Sequence, residues 1–268
     1  MNKSSLKVVA LAGGVGGAKL SHGLAQVLIP GGLTVIVNSG DDFEHLGLKI
    51  CPDLDTVCYT LAGLANPQTG WGRSSETWNA LESLAELGGP TWFKLGDRDL
   101  GTHLQLTELI SWGWTLSQIT KKFVRAWNLE QSVIPITDDV VPTMVETDEG
   151  LLPFQEYFVK QQCRPVVRGF RFNNVENSKP ALGVLDAING AELIVVCPSN
   201  PWVSIDPILA ISGVREELLA LAVPIIAVSP IIGGKAVKGP AAKMYSEMGF
   251  QPSALVVAEH YGDRLRGG

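Results

Sequence analysis

Short runs of apolar, β-branched residues alternate along the chain with longer segments in which apolar residues recur at helical spacing. This alternation predicts buried parallel strands that are connected by helices, as in a doubly wound α/β fold. The predicted strands are residues 6–11, 33–38, 193–197 and 224–229. Each run ends in small or polar residues. The loops that follow the strands are therefore expected to meet in one crevice at the carboxyl edge of the sheet.

The chain changes character between residues 71 and 130, where tryptophan, leucine and charged residues recur at helical spacing. Helices are predicted over 75–87, 102–112 and 115–127, and the segment is interpreted as a helical insertion that covers the crevice. Farther on, the runs 143–147 and 151–159 flank Asp148-Glu149-Gly150, which predicts a β-hairpin, and 166–172 is predicted to add a third strand. Residues 1–268 are interpreted as a single α/β domain with a mostly parallel, Rossmann-like sheet, this insertion and a small β-hairpin region.

Composition narrows the class of protein. The 268 residues are 46% hydrophobic and carry a formal net charge of −6 at pH 7, values that are typical of globular proteins and opposed to disorder or nucleic-acid binding. No apolar stretch approaches the ~20 residues of a membrane span, so no membrane association is expected. The four cysteines include no Cys-x-x-Cys pair, which favours reduced thiols in the cytoplasm over disulfides or zinc.

A glycine-rich loop, Gly-Gly-Val-Gly-Gly-Ala-Lys at residues 13–19, follows the first strand directly and opens into a helical pattern. Glycines let the backbone approach a diphosphate, and the N–H groups at a helix start attract its charge. The spacing matches neither the dinucleotide fingerprint nor the Walker pattern. A tight turn that needs small residues only for packing is the alternative. The loops after the strands supply the candidate nucleotide- and phosphate-binding residues, which are Gly13, Gly14, Gly16, Gly17, Asn38, Ser199, Asn200, Ser229, Gly233 and Lys235.

Four aspartates are expected at the same crevice. Asp41 and Asp42 follow the second strand, and Asp53 and Asp55 lie in the segment Cys-Pro-Asp-Leu-Asp-Thr. Their carboxylates would repel a diphosphate unless a divalent cation stands between them. Mg²⁺ is therefore the predicted cofactor, and these four residues are its candidate ligands. A turn or helix-capping role is the alternative for single members, above all for Asp53, which follows a proline directly before a helical run.

The remaining polar motifs indicate little covalent chemistry. Lys94 lies in Phe-Lys-Leu-Gly-Asp-Arg-Asp at residues 93–99, where it is either a point cation for a ligand or a partner in local ion pairs. None of the histidines has metal-site spacing, and each, including His103, is interpreted as a surface or packing residue. Because no Ser-His-Asp or Cys-His arrangement is legible, the predicted chemistry is in-line phosphoryl transfer by positioning and charge neutralisation.

These segments, in this order, closely resemble the 2-phospho-L-lactate transferase family of coenzyme F420 biosynthesis. The motifs that carry the resemblance are Gly-Gly-Val-Gly-Gly-Ala-Lys, Asn-Ser-Gly-Asp-Asp, Cys-Pro-Asp-Leu-Asp-Thr, Gly-Trp-Gly, Lys-Leu-Gly-Asp-Arg-Asp, Phe-Gln-Glu-Tyr-Phe, Pro-Ser-Asn-Pro and Ser-Pro-Ile-Ile-Gly-Gly. The resemblance implies a Mg²⁺-dependent transferase. It would move a phospholactate or phosphoenolpyruvate group from a guanosine diphosphate-activated donor to the terminal ribityl hydroxyl of the deazaflavin Fo, forming F420-0 or dehydro-F420-0 and releasing GMP.

The same resemblance implies that Asp55 and Lys94 contact Fo and that the protein is a homodimer. Asp55 and Asp41 are the candidate catalytic residues. The transferred group, whether phospholactate, phosphoenolpyruvate or a phosphoglyceryl relative, is not distinguished by the sequence. The alternative function is that of a non-catalytic nucleotide-sugar-binding regulator of the related gluconeogenesis-factor family. That family typically carries Asp-Asp-Gly-Gly-Ser after its second strand, whereas here Asp41-Asp42 is followed by Phe43-Glu44.

Overall fold

A computed structural model describes residues 3–237 and 239–265, which form an α/β fold. The strands in this part of the chain are β1 Val8–Ala12, β2 Leu33–Val37, β3 Phe43–His45, β4 Leu48–Ile50, β5 Ser132–Pro135, β6 Thr143–Thr147, β7 Gly150–Pro153, β8 Val167–Phe172, β9 Leu193–Val196, β10 Ile225–Ala227, β11 Ile231–Ile232 and β12 Lys235–Ala236. The α-helices are α1 Gly14–Val27, α2 Pro52–Leu61, α3 Asn79–Glu86, α4 Asp97–Ser111, α5 Leu116–Ala126, α6 Val184–Asn189, α7 Asp206–Ala210, α8 Val214–Ala220, α9 Ala241–Glu247 and α10 Ala254–Leu265.

The central sheet is parallel, with its five strands in the order β10-β9-β1-β2-β5. The chain moves outward from β1 through β2 to β5 and later returns to β9 on the other side of β1. This reversal makes the carboxyl ends of β1 and β9 the switch point, where ligands bind in sheets of this kind. The four strands predicted from the sequence are all present. The doubly wound, parallel fold class is confirmed.

The sheet separates two hydrophobic cores, because successive residues of a strand point to opposite faces. Leu11 and Ile194 belong to the core on one face, which extends into α6 to α10. Ala10 and Val195 belong to the core on the other face, which includes residues of α1, α2, α4 and α5. Since both faces are covered, all five residues of β1 are buried, which explains why this strand appears in the sequence as an unbroken apolar run.

Several strands were not predicted, among them β5 and the hairpin of β3 and β4. β5 has only four residues, ends in Pro135 and lies at the edge of the sheet, where a strand can tolerate proline. β3 and β4 form a short antiparallel hairpin whose turn, Leu46-Gly47, has positive φ at both residues. The hairpin leads directly into α2 and so places the second pair of aspartates near the first.

The segment 71–130 contains three helices, as predicted, although two of them begin at other residues. α4 begins at Asp97, earlier than predicted, because the Glu76 carboxylate accepts hydrogen bonds from the backbone N–H groups of Arg98 and Asp99 at 2.7 and 2.9 Å. α3 begins at Asn79, later than predicted, and the Asp97 carboxylate accepts hydrogen bonds from its first N–H groups. Glu76, which precedes α3, thus caps α4, and Asp97, the first residue of α4, caps α3, which fixes α3 against α4.

The predicted hairpin is present as β6 and β7, and β8 pairs with β6 in a three-stranded antiparallel sheet. The predicted second strand, 151–159, is too long. β7 ends at Pro153, and Glu156–Lys160 forms a π-helical turn instead. Within the described residues, no helix is long and apolar enough to span a bilayer.

Candidate functional site at the switch point

The glycine-rich loop and the loop after β9 are joined by hydrogen bonds at the switch point. The Ser199 hydroxyl accepts a hydrogen bond from the Gly13 N–H at 3.1 Å and donates one to the Gly13 carbonyl at 2.7 Å. Helix α1 begins at the next residue, Gly14, whose φ of +60° is in the left-handed region that favours glycine. The start of α1 is therefore held beside β9, as a phosphate-binding turn requires.

Two other glycines of the loop are required by packing. A Cβ atom on Gly16 would lie 2.1 Å from the carbonyl oxygen of Pro198, and a Cβ on Gly17 would lie 2.9 Å from the Cβ of Ala12. The packing explanation for these glycines therefore applies in addition to any role toward a ligand. Small residues are needed here because two backbone segments touch.

Asn38 is the centre of the polar network next to this loop. Its amide nitrogen lies within hydrogen-bond distance of Asp41 Oδ1, at 3.0 Å, and of Asp53 Oδ2, at 2.9 Å. The other carboxylate oxygen of Asp53 accepts a hydrogen bond from the Gly14 N–H at 2.7 Å. The Asp53 side chain thus caps the start of α1 and not the start of its own helix, α2. The interpretation that it caps its own helix is wrong, since Cys51 stands at the start of α2.

These buried carboxylates resist ionisation. Burial raises the pKa of Asp41 well above its usual value, and the neighbouring Asp53 raises it further. Burial also raises the pKa of Asp53 to about 6, against the opposing effect of hydrogen bonds from Asn38 and Gly14. A group of carboxylates in this condition favours a positive ligand or a shared proton.

Asp42 points to a different set of partners. Its Oδ2 accepts a hydrogen bond from the Cys51 thiol at 3.1 Å and lies 3.5 Å from Lys49 Nζ. Its Oδ1 is buried and has no hydrogen-bond partner among the described residues. An unsatisfied carboxylate oxygen of this kind fits a hard cation, for which oxygen is the preferred ligand atom.

The four predicted metal ligands do not form one set. Asp41 and Asp53 meet at Asn38, whereas Asp42 contacts Lys49 and Asp55 contacts a histidine described below. Across the described part of the chain, no three His, Cys, Asp or Glu side chains are arranged to hold a metal ion. Mg²⁺ commonly takes only one or two carboxylates and completes its coordination with water and substrate phosphates. Asp41 and Asp53 fit that use.

Asp55 belongs to a polar cluster between α2 and α4. His103 Nε2 lies 3.9 Å from Asp55 Oδ2 and 3.4 Å from Asp99 Oδ1. The Tyr59 hydroxyl donates a hydrogen bond to Asp99 Oδ1 at 2.7 Å. Burial raises the pKa of Asp55 to about 7, although His103 opposes this rise. From the sequence, His103 is interpreted as a surface or packing residue; its imidazole is in fact buried, and it lies between two carboxylates.

Lys94 is exposed and lines a small pocket of about 40 Å³ beside this cluster. The aromatic residues Trp71 and Trp78 line the same pocket, as does Asp99. Asp99 therefore connects the pocket of Lys94 with the cluster that holds Asp55. Lys94 and Asp55 are the two residues that the resemblance assigns to Fo. Lys94 shares a pocket with Asp99, and Asp55 shares the contact with His103.

The remaining candidate phosphate-binding residues, in the loops after β9 and β10, contact parts of the chain other than the glycine-rich loop. Asn200 accepts a hydrogen bond from the Trp202 N–H, which caps the π-helical turn Pro201–Ile205, and its amide contacts Met244 of α9. The Ser229 hydroxyl bonds the Ile231 backbone within its own turn. Gly233 has a φ of +57° in the exposed β11–β12 hairpin, which also carries Lys235. A role of these residues toward a nucleotide stays a prediction.

Sequence reasoning missed three residues of the Asp55 cluster, namely Tyr59, Asp99 and His103. The signal was present as spacing, since Asp55 and Tyr59 are four residues apart on α2, and Asp99 and His103 are four apart on α4. Residues at this spacing share one helix face. What the spacing did not indicate is that the two faces meet.

A parallel sheet with a switch point, a glycine-rich helix start and buried carboxylates define a Rossmann-like α/β protein. Two solved structures of a member of the UPF0052 family from Bacillus halodurans share this fold. One has a TM-score of 0.63 at 18% identity and covers 98% of this chain and 79% of its own. The other has a TM-score of 0.59 at 19% identity and covers 83% and 68%.

The chain belongs to the family described as 2-phospho-L-lactate transferase CofD, whose profile it matches over residues 8–264. A relative from Streptomyces griseus subsp. griseus named phosphoenolpyruvate transferase is 44% identical over 268 residues, covering 98% of this chain and 84% of the relative. A relative of the same name from Mycobacterium tuberculosis is 40% identical over 283 residues, covering 98% and 86%. The resemblance stated from the sequence motifs is thereby confirmed.

Proposed function

We propose that this protein transfers a phosphoenolpyruvate-type group from a guanosine diphosphate-activated donor to the terminal ribityl hydroxyl of the deazaflavin Fo, with Mg²⁺ as cofactor. The observation that carries the proposal is the contact at the switch point, where Asp53 meets the first N–H of α1 beside Ser199. This contact brings a helix start, the kind of element that binds phosphate, next to buried carboxylates, the kind of group that binds a cation. The names of the relatives favour phosphoenolpyruvate over phospholactate as the group transferred.

The donor diphosphate would bind at the glycine-rich loop. The N–H groups of Val15 and Gly16 stand in the first turn of α1, where no intrahelical carbonyl is available to them. They would hold the diphosphate oxygens, and the Ser199 hydroxyl would keep the loop in place through its two hydrogen bonds to Gly13. Asp41 and Asp53 would hold Mg²⁺, which supplies neutralisation of the charge that develops on the transferring phosphoryl group. Asp41, the second candidate catalytic residue, would act through this charge balance.

The acceptor would bind on the α2–α4 side, with Lys94 as a cation toward Fo and Asp55 at the ribityl hydroxyl. The hydroxyl oxygen forms a bond to the phosphorus that carries the enolpyruvyl group, and its proton passes to Asp55. The bond from that phosphorus to the oxygen of the guanosine monophosphate unit breaks, and GMP leaves with the electron pair. A carboxyl pKa near 7 suits a general base at neutral pH.

The direct test is product analysis. The protein is incubated with Fo, Mg²⁺ and each of the phosphoenolpyruvate, phospholactate and phosphoglycerate donors, and the products are identified by mass. We expect dehydro-F420-0 and equimolar GMP with the phosphoenolpyruvate donor, and no product in EDTA. GDP binding without product from any donor would contradict the proposal and favour the non-catalytic nucleotide-binding alternative. Light scattering of the same sample tests the expected homodimer.

A further inference from the structure

The polar cluster between α2 and α4 has a fixed order of contacts. Tyr59 is fully buried, and its hydroxyl donates to Asp99. Asp99 lies 3.4 Å from His103 Nε2, and the same nitrogen lies 3.9 Å from Asp55. The side chain of His103 is 1% exposed, whereas those of Asp55 and Asp99 are 15% and 13% exposed. A buried imidazole therefore stands between two carboxylates that are both partly exposed, and one of them is Asp55.

His103 contacts these carboxylates through one nitrogen. Nε2 stands between Asp55 and Asp99, so both carboxylates meet the same ring nitrogen. Nε2 thus faces Asp55, whose carboxylate is repelled by those of Asp99 and Asp42.

We propose that His103 is a positioning residue for Asp55, and that Asp99, anchored by Tyr59, holds the imidazole in place. In this arrangement His103 holds the Asp55 carboxylate against repulsion by its acidic neighbours and keeps it directed at the acceptor hydroxyl. His103 does not touch the substrate and exchanges no proton with it. The inference rests on the proposed function, since it concerns the residue that would take the proton of the acceptor.

The geometry predicts which substitutions preserve this role. The side-chain nitrogen of glutamine reaches the place of imidazole Nε2, whereas that of asparagine reaches only the place of Nδ1. H103Q therefore retains a donor toward Asp55, and H103N and H103L do not. A matched structural control is L106V, because Leu106 is a buried apolar residue on the same helix, 3% exposed, that packs in the hydrophobic core.

The experiment measures kcat, KM for the guanylated donor and the thermal midpoint for the wild-type protein and these variants. We expect H103L and H103N to lower kcat by about 10- to 100-fold, a loss typical of removing a group that orients an active residue. The KM for the donor should stay within about 2-fold, and H103Q should keep kcat within about 5-fold of the wild type. A second variant, D99N, should also lower kcat, because it removes the charge that holds His103.

Three results would overturn the inference while the proposed function stands. These are wild-type kcat in H103L, equal loss in H103Q and H103L, or the same loss of kcat in L106V at a similar thermal midpoint. If a variant of His103 does not fold, D99N decides, and an unchanged kcat in that variant rejects the role. Absence of turnover in the wild-type protein with every donor would instead contradict the proposed function itself.

Discussion

Replacing Gly16 by alanine tests whether the glycine-rich loop is limited by packing as well as by its ligand. Gly16 lies in the first turn of α1, and an added Cβ would stand 2.1 Å from the Pro198 carbonyl oxygen. Contacts of a Cβ atom below 3.0 Å are essentially never seen, so the loop after β9 would have to move by roughly 1 Å. The next residue, Ser199, makes two hydrogen bonds to Gly13, and both would be stretched.

Opposing contributions set the size of the effect. Overpacking of this kind typically costs ~1–3 kcal/mol, and each weakened hydrogen bond of Ser199 costs about 1 kcal/mol. Alanine gains ~0.8–1.0 kcal/mol over glycine as a helix former. The expected net loss is about 2–4 kcal/mol in the free energy of unfolding, which corresponds to roughly 4–16 °C in the thermal midpoint.

The same helix supplies the control. A Cβ on Gly23 would have no atom within 4 Å, so G23A should raise the free energy of unfolding by ~0.5–1 kcal/mol through helix propensity alone. Urea unfolding followed by circular dichroism compares the two variants, and calorimetry with GDP measures nucleotide binding in each. We expect weaker GDP binding in G16A and unchanged binding in G23A. A G16A protein as stable as G23A would refute the reasoning.

Three further predictions address the acidic residues and Lys94. D55N should lower kcat by a factor of ~10²–10⁴ and leave the affinity for GDP nearly unchanged. K94A should weaken Fo binding, which a fluorescence titration measures. Unchanged dissociation constants for Fo in both variants would mean that Fo binds elsewhere. Burial raises the pKa of Asp53 to about 6, so the stability that its protonated form contributes is present below pH ~4 and is lost as pH rises through about 6. Mg²⁺ should consequently raise the thermal midpoint more at pH 8 than at pH 5, and equal shifts at both values would count against a cation at this carboxylate. Hydrogen bonding, first of all from the Thr77 hydroxyl, lowers the pKa of Asp97 to about 2, so its contribution is present above pH ~4 and is lost as pH falls toward 2. D97N should lower the thermal midpoint at pH 7 and have a diminishing effect toward pH 2, and an identical midpoint at pH 7 would show that the mutual capping of α3 and α4 adds nothing.

Local pattern determined much of this protein. Strands that are buried on both faces must be apolar throughout. The parallel sheet could therefore be predicted from unbroken runs of apolar residues in the sequence, such as that of β1. The glycine-rich loop could be predicted for a similar reason, because a close contact between backbone segments admits only small residues. Ordered motifs along the chain then indicated the family, which the match over residues 8–264 confirms. These features depend on residues that are neighbours in the sequence.

The partners of the functional side chains were decided only by the tertiary structure. Asp53 caps a helix that begins 39 positions earlier, and Asp55 meets a histidine 48 positions later. Both contacts depend on which faces of α1, α2 and α4 pack together and on how far the helices are shifted along their axes. The helical periodicity of one segment specifies neither the facing surfaces nor the shift. The raised pKa values of Asp53 and Asp55 were likewise decided by the tertiary structure. These carboxyl groups would have ordinary pKa values in water, and burial in the folded protein raises them.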